Sequence, residues 1–206
     1  MHYSDRTAAG RTLCDSLTHL RGRGVVVLAL PRGGVPVGRE VALALHAPFD
    51  ILVVRKLGLP WQPELAMGAI GEGGTRVMND DVVRHSRVSP SALKKVEADE
   101  RHELARRAKV LRGGRPRIDL HGRTVVLVDD GMATGATVAV ACHSVRIEGA
   151  DRVIVAVPVA CPEAVQRVNV VADEVVCPWI PTDLGGVGAA YDDFHQLTDT
   201  EASNLL

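Results

Sequence analysis

In the thirteen residues Val125-Val-Leu-Val-Asp129-Asp130-Gly-Met-Ala-Thr-Gly135-Ala-Thr137, an apolar run ends on two adjacent carboxylates, passes through a short Gly/Thr loop and enters a helix. An apolar run bounded in this way reads as a strand covered on both faces, as in a parallel sheet. Ligands of open parallel sheets bind beyond the carboxyl ends of the strands. Free amides at the helix start point outward there with the positive end of the helix dipole behind them, so the loop favours an anion such as a phosphate. Thr134 and Thr137 add hydroxyl donors, and Gly135 lets the backbone approach without a side chain in the way. Asp129 and Asp130 would repel a lone phosphate. They suit a mixed ligand, with phosphate in the loop and hydroxyls, a cation or developing positive charge beside the acids, and a phosphorylated sugar is such a ligand.

Outward from this stretch, further short apolar runs at 25–30, 51–54, 152–157 and 174–177 join 124–128 as strand candidates. Helical stretches lie between them, the alternation expected of a parallel sheet with both faces covered. Val37, Val41 and Leu45 repeat at four-residue spacing on one such helix, with Pro36 in its first turn. A second runs over 135–148, apolar at Val138, Cys142 and Val145, with Gly149 as its stop, and a shorter one starts at Pro162. A long surface helix over 89–112 carries a narrow stripe of Leu93, Val96, Leu104, Ala108 and Leu111 and ends at Gly113-Gly114. Its charges read as a solvated face with favourable pairs such as Glu97 and Arg101.

Two regions break the alternation. From 55 to 78 the chain carries Pro60, Pro63 and several glycines around short strand candidates at 66–70 and 75–78, the texture of a lid or binding loop. The stretch 178–194, with Pro181 and Gly185-Gly186, is similarly irregular before a last short helix that Asp199 is placed to cap.

Composition narrows the function classes. The chain has 206 residues, 46% hydrophobic and 3% aromatic, so it can bury an aliphatic core but has too few rings for a nucleic-acid stacking platform. Lys and Arg total 24 against 25 Asp and Glu, so no net charge steers it toward nucleic acid or an acidic membrane. Cys14, Cys142, Cys161 and Cys177 lie far apart without metal-ligand spacing and read as reduced thiols. With no signal-peptide pattern at Met1 and no apolar run of about 18 residues, the expected location is cytoplasmic.

A P-loop would need GxxxxGK[ST], and the chain has no such lysine; Gly33-Gly34-Val-Pro-Val-Gly38 likewise fails the GxGxxG dinucleotide spacing. The thirteen-residue stretch instead resembles the motif of the type I phosphoribosyltransferases, in which a hydrophobic strand, two acidic residues and a TGxT loop hold 5-phosphoribosyl 1-diphosphate. The similarity covers about 25–177. It implies an α/β fold with a mostly parallel central sheet flanked by helices, a flexible lid insertion and a small C-terminal hood. The whole of 1–206 is then one domain, with the core at about 25–177, the lid at about 55–78 and the hood at about 178–206.

The resemblance also implies roles. Ala133, Thr134, Gly135, Ala136 and Thr137 would bind the 5-phosphate, and Asp129 and Asp130 the ribose hydroxyls. Leu30-Pro-Arg32-Gly33-Gly34 resembles the family's diphosphate loop, so Arg32, Gly33 and Gly34 would meet the leaving group. Arg55 and Lys56, at the root of the insertion, can neutralise diphosphate, with Lys56 stabilising it as it departs; Glu64 and Glu72 in the lid are candidates to move a proton. The implied catalytic set is Asp129, Asp130, Arg32 and Lys56. Magnesium is the implied cofactor, held mainly through the donor and by Asp129 and Asp130. Ala133 stands where the 6-oxopurine branch has an acid, so it departs from that branch and is closer to the adenine branch. Trp179 and Tyr191 are candidates to stack on an acceptor. The expected function is transfer of the phosphoribosyl group to a nucleobase or other nitrogen acceptor with release of diphosphate. The alternative is a non-catalytic sensor of phosphoribosyl diphosphate or a nucleotide. The partners are the donor and an unidentified acceptor, with neither nucleic acid nor membrane, and self-association into a homo-oligomer stays open.

Overall fold

A computed structural model describes residues 2–206. The chain runs through α1 (Arg6–Asp15), β1 (Val26–Ala29), α2 (Gly34–Leu45), β2 (Phe49–Ile51), β3 (Val54–Leu59), β4 (Gln62–Gly71) and β5 (Arg76–Met78). It continues through α3 (Asp80–Ser86), α4 (Pro90–Arg112), β6 (Thr124–Val128), α5 (Ala136–Ile147), β7 (Arg152–Ala156), α6 (Pro162–Asn169), β8 (Glu174–Val176) and α7 (Asp199–Asn204). Five strands form one parallel sheet in the order β2-β1-β6-β7-β8.

Alternation along each strand sends side chains to two separate cores. Val125 and Leu127 of β6 pack with Val138, Cys142 and Val145 of α5 and Val168 of α6. Val126 and Val128 face the other way, onto Val37, Val41 and Leu45 of α2 and Leu13 of α1. Burial on both faces explains why the strands read as unbroken apolar runs. After β1 the chain passes to α2 on one face, and after the adjacent β6 it passes to α5 on the opposite face. The two helices leave a crevice between them at the carboxyl edge, where the winding of the sheet reverses.

The insertion differs from its expected irregular form. It is a second, three-stranded antiparallel sheet, β3-β4-β5, with register shifts around Gly58. A methyl group on Gly58 would collide with the backbone of Pro63, so only glycine lets the two strands approach there. Leu57, Leu59, Met67 and Ile70 are buried against Leu104, Ala108 and Leu111 of α4. The stripe expected on the long helix is thus the seat of this sheet. Arg112, expected on the solvated face of that helix, is 5% exposed: its guanidinium pairs with Asp50 at 2.8 Å and Glu72 at 2.6 Å. The last helix is capped by Thr198 in a capping box with Glu201, and Asp199 is its first helical residue, pairing with Arg107 at 3.3 Å.

The stretch expected to form the hood is joined by the first residues of the chain. Tyr3 bridges to Tyr191, donating its amide to Ala190 O at 2.9 Å and accepting from Asp192 N at 2.8 Å. The segment 2–5 therefore lies alongside the tail, and α1, capped by Asp5, leads from there to the face of α2.

Candidate functional site

The loop after β1 and the loop after β6 touch. A methyl group on Gly33 would collide with Asp130 Oδ2, and one on Gly34 would lie 2.6 Å from Val128 O and 2.9 Å from the Asp129 Cα. Two glycines are what let the sequence-predicted diphosphate loop lie directly against the acidic pair. Arg32 sits at the head of this loop, half-buried, with Nη1 3.7 Å from Asp199 Oδ1. Its side chain is thereby oriented by the last helix.

Beyond the acids, Gly135 takes φ +71° as the residue before α5, and a methyl group on it would meet Ala164 O at 2.9 Å. Having no side chain, it leaves the start of α5 uncapped, so the first helical amides have no intrahelical partner. Thr134 Oγ1 accepts from Ala136 N at 3.4 Å, and Arg167 donates to Thr134 O at 2.6 Å. Ala133, Thr134, Ala136 and Thr137 are exposed. The expected 5-phosphate loop is therefore open to solvent, with the Arg167 guanidinium at its back.

The two acids differ in their surroundings. Asp129 Oδ1 accepts from Asp130 N at 2.9 Å. Burial, then repulsion from Asp130, pushes the Asp129 carboxyl well above the usual carboxylate range. Burial raises Asp130 as well, opposed by Arg6, whose Nε donates to Asp130 Oδ2 at 2.8 Å. The Tyr191 hydroxyl donates to Asp130 O at 2.5 Å, and burial raises its ionisation above the ordinary tyrosine value. Among the described residues no cluster of three or more His, Cys, Asp or Glu could hold a metal ion. Two enclosed carboxylates facing one guanidinium are nevertheless suited to a divalent cation that arrives with a diphosphate.

The remaining expected site residues are more dispersed. Lys56 and Arg55 diverge on β3, as successive strand residues do. Lys56 lies 3.3 Å from Glu64 Oε2 and lines a cavity of about 470 Å³ with Ala136, Thr137, His143 and Arg167, between the antiparallel sheet and α5. Arg55 is committed to Glu100 of α4 at 2.7 Å, so it is not placed to neutralise diphosphate. Glu72 is corrected from a proton carrier to a structural group: it is buried, receives Arg112, and accepts from Val53 N at 2.8 Å. Glu64 is almost fully exposed. Trp179 is half-buried and packs edge-on against Tyr3, whereas Tyr191 is buried between Tyr3 and Phe194, so the Tyr191 ring presents no open stacking face. A larger cavity of about 660 Å³, lined by Val25, His46, Pro48 and Arg123, opens at the amino ends of the strands, away from every one of these groups.

Sequence reasoning missed Arg6 and the bond from Tyr191 to Asp130. Arg6 stands in a segment with no motif, and only the Asp5 cap with Leu13 and Leu17 behind it hinted at a packed helix.

The chain matches the family model described as the phosphoribosyl transferase domain over residues 8–193, a wider span than the motif alone suggested. It is 54% identical over 204 residues to proteins from two Mycobacterium tuberculosis strains, CDC 1551 and H37Rv, each named "Putative phosphoribosyl transferase". That match covers 99% of this chain and 46% of each relative, so the chain spans about half the length of these curated relatives. The crystal structure of TT1426 from Thermus thermophilus is similar at a TM-score of 0.86 and 45% identity, covering 100% of this chain and 97% of that one. With the loop pair, the acidic pair and these matches together, the chain belongs to the phosphoribosyl transferase domain family.

Proposed function

We propose that the protein transfers the 5-phosphoribosyl group of 5-phosphoribosyl 1-diphosphate to a nitrogen acceptor, releasing diphosphate. The observation that carries this reading is the contact of Gly33 and Gly34 with Asp130 and Asp129, which sets an anion-binding turn and two carboxylates around one point at the sheet edge. The loop of Ala133, Thr134, Gly135, Ala136 and Thr137, exposed on either side of the buried Gly135, holds the 5-phosphate. Asp129 and Asp130 hold the ribose hydroxyls. The backbone of Gly33 and Gly34, with Arg32, receives the diphosphate.

In the reaction the acceptor nitrogen forms a bond to the anomeric carbon while the bond from that carbon to the diphosphate oxygen breaks, its electron pair leaving with diphosphate. Positive charge grows on the sugar beside the two carboxylates, and negative charge grows on the leaving group beside Arg32. Magnesium, when bound with the donor, offsets the charge of the diphosphate and makes it a better leaving group. Lys56 faces Thr137 from the antiparallel sheet and adds positive charge to the bound donor from the lid side. The lid excludes water that would compete as nucleophile. The wall containing Trp179 and Tyr191 borders Asp130 and bounds the side from which the acceptor enters.

The test is release of diphosphate from the donor and magnesium across a panel of purines, pyrimidines and small amines. Turnover with one acceptor, reduced about 10²–10³-fold or more in Asp129→Asn/Asp130→Asn, is the expected result. Tight donor binding without release for any acceptor would instead favour a sensor, and no donor binding at all would refute the site.

A further inference from the structure

We infer that Arg6 is a positioning residue for the acidic pair, clamping Asp130 from the first helix and tying that clamp to the C-terminal tail. The inference rests on the reading of Asp130 as a ligand of the donor. Among the described residues, Arg6 is the cation that pairs with either acid; the pair is nearly enclosed, with side-chain exposures of 9% and 13%. Its guanidinium has further fixed partners. Nη1 donates to His195 O at 3.0 Å, and Cζ lies 4.0 Å from the centre of the Phe194 ring, which in turn stacks on Tyr191 at 5.1 Å. Tyr191 closes the circuit by donating to Asp130 O. Residue 130 is thus held at its carboxylate by the helix and at its backbone by the tail.

This arrangement makes the acids unequal. Oδ2 of Asp130 is taken by Arg6 and abuts Gly33, so Oδ1 is the oxygen left for a ligand, in one fixed direction. Among the described residues Asp129 has no ion-pair partner, and its Oδ2 receives no hydrogen bond. Without Arg6 an enclosed carboxylate would lose its counter-charge and its orientation together. Arg6 then acts on the donor only through Asp130, and its loss is felt only where Asp130 is a carboxylate.

A double-mutant cycle reads this directly. Affinity for 5-phosphoribosyl 1-diphosphate with magnesium is measured by calorimetry for the wild type, Arg6→Met, Arg6→Lys, Asp130→Asn and Arg6→Met/Asp130→Asn. Arg11→Met serves as a control, because Arg11 pairs with Glu40 on the exposed side of the same helix. Arg6→Met is expected to weaken binding about tenfold, equivalent to about 1.4 kcal/mol. Arg6→Lys should restore part of that loss, and Arg6→Met should cost nothing further in the Asp130→Asn background. Equal losses in both backgrounds, or none in either, would overturn the inference. Hydrogen exchange without donor gives a reading independent of function. Arg6→Met should deprotect 129–131 and 191–195 together, whereas Phe194→Leu should loosen the tail alone. Should the wild type take no donor, the proposed function fails by itself, and unchanged protection at 129–131 in Arg6→Met would still overturn the role of Arg6.

Discussion

Two carboxylates set side by side in an enclosed crevice hold their protons more tightly than free ones, and Asp129 has no ion-pair partner among the described residues to offset this. The folded chain therefore binds a proton at Asp129 that the unfolded chain, with an ordinary value near about 3.9, has already released. The contribution of this residue to stability falls as pH rises from about 4 through its raised folded value. Asp129→Asn should accordingly raise the melting midpoint at pH 7–8, measured without donor or divalent cation. Each tenfold gain in the proton affinity of Asp129 on folding corresponds to about 1.4 kcal/mol, and each kcal/mol to roughly 2–4 °C for a chain of this size. The gain should vanish near pH 4 and below; a gain equally large there would show that the charge is not its cause. Gly33→Ala belongs to the same scale. Its methyl group would meet the Asp130 carboxylate, so donor binding should drop at least tenfold while the midpoint moves by only a few degrees, by calorimetry and thermal melting. The acids and glycines were readable in sequence because they sit in one contiguous motif. Arg6 was not, since it lies 124 positions from Asp130 and nothing in its neighbours specifies a partner.

The antiparallel sheet depends on a buried ionic joint. Arg112, from the end of α4, reaches Asp50 of β2, Glu72 in the turn after β4 and Ile51 O at 2.6 Å. Arg117 adds a second cation, 3.7 Å from Glu72 and 2.6 Å from Glu148. Removing one partner from such a cluster leaves uncompensated charge, so Arg112→Met should cost about 3–5 kcal/mol in denaturant unfolding. A loss below about 1 kcal/mol would mean that water already reaches the joint. This joint also explains what the sequence could not convey about 54–78. Strand β3 alternates Leu57 and Leu59 inward, but Arg55 takes the preceding inward position, the register shifts around Gly58, and the pairing that completes the strand comes from β4. The strands of the parallel sheet were legible because burial on both faces writes itself as consecutive apolar residues. A half-buried sheet with a bulge leaves a weaker mark, and glycines required for close strand approach look locally like those of a loop.

On the scale of the whole molecule, the crevice lies between the winding reversal of the parallel sheet on one side and the antiparallel sheet on the other. Trp61 stands at the tip of the β3–β4 hairpin, 60% exposed, and Trp179 is half-buried in the tail. If the antiparallel sheet acts as a lid, donor and magnesium should blue-shift the emission of Trp61 in a Trp179→Phe background. An unchanged spectrum at saturating donor would assign water exclusion to other elements.

The circuit of Arg6, Asp130, Tyr191 and His195 also bears on the order in which the molecule is made. Its members come from sequence positions 124 and 189 residues apart. On a ribosome the β1 and β6 loops can emerge and fold while the tail is still untranslated, but the clamp on Asp130 cannot close until the segment holding Tyr191 and His195 appears. Contacts of such separation form late, because their loop-closure entropy is recovered only at the end. The nascent sheet would carry an acidic crevice before it carries a finished one, and competence for the donor would arrive only once residues 191–195 had been made and had docked.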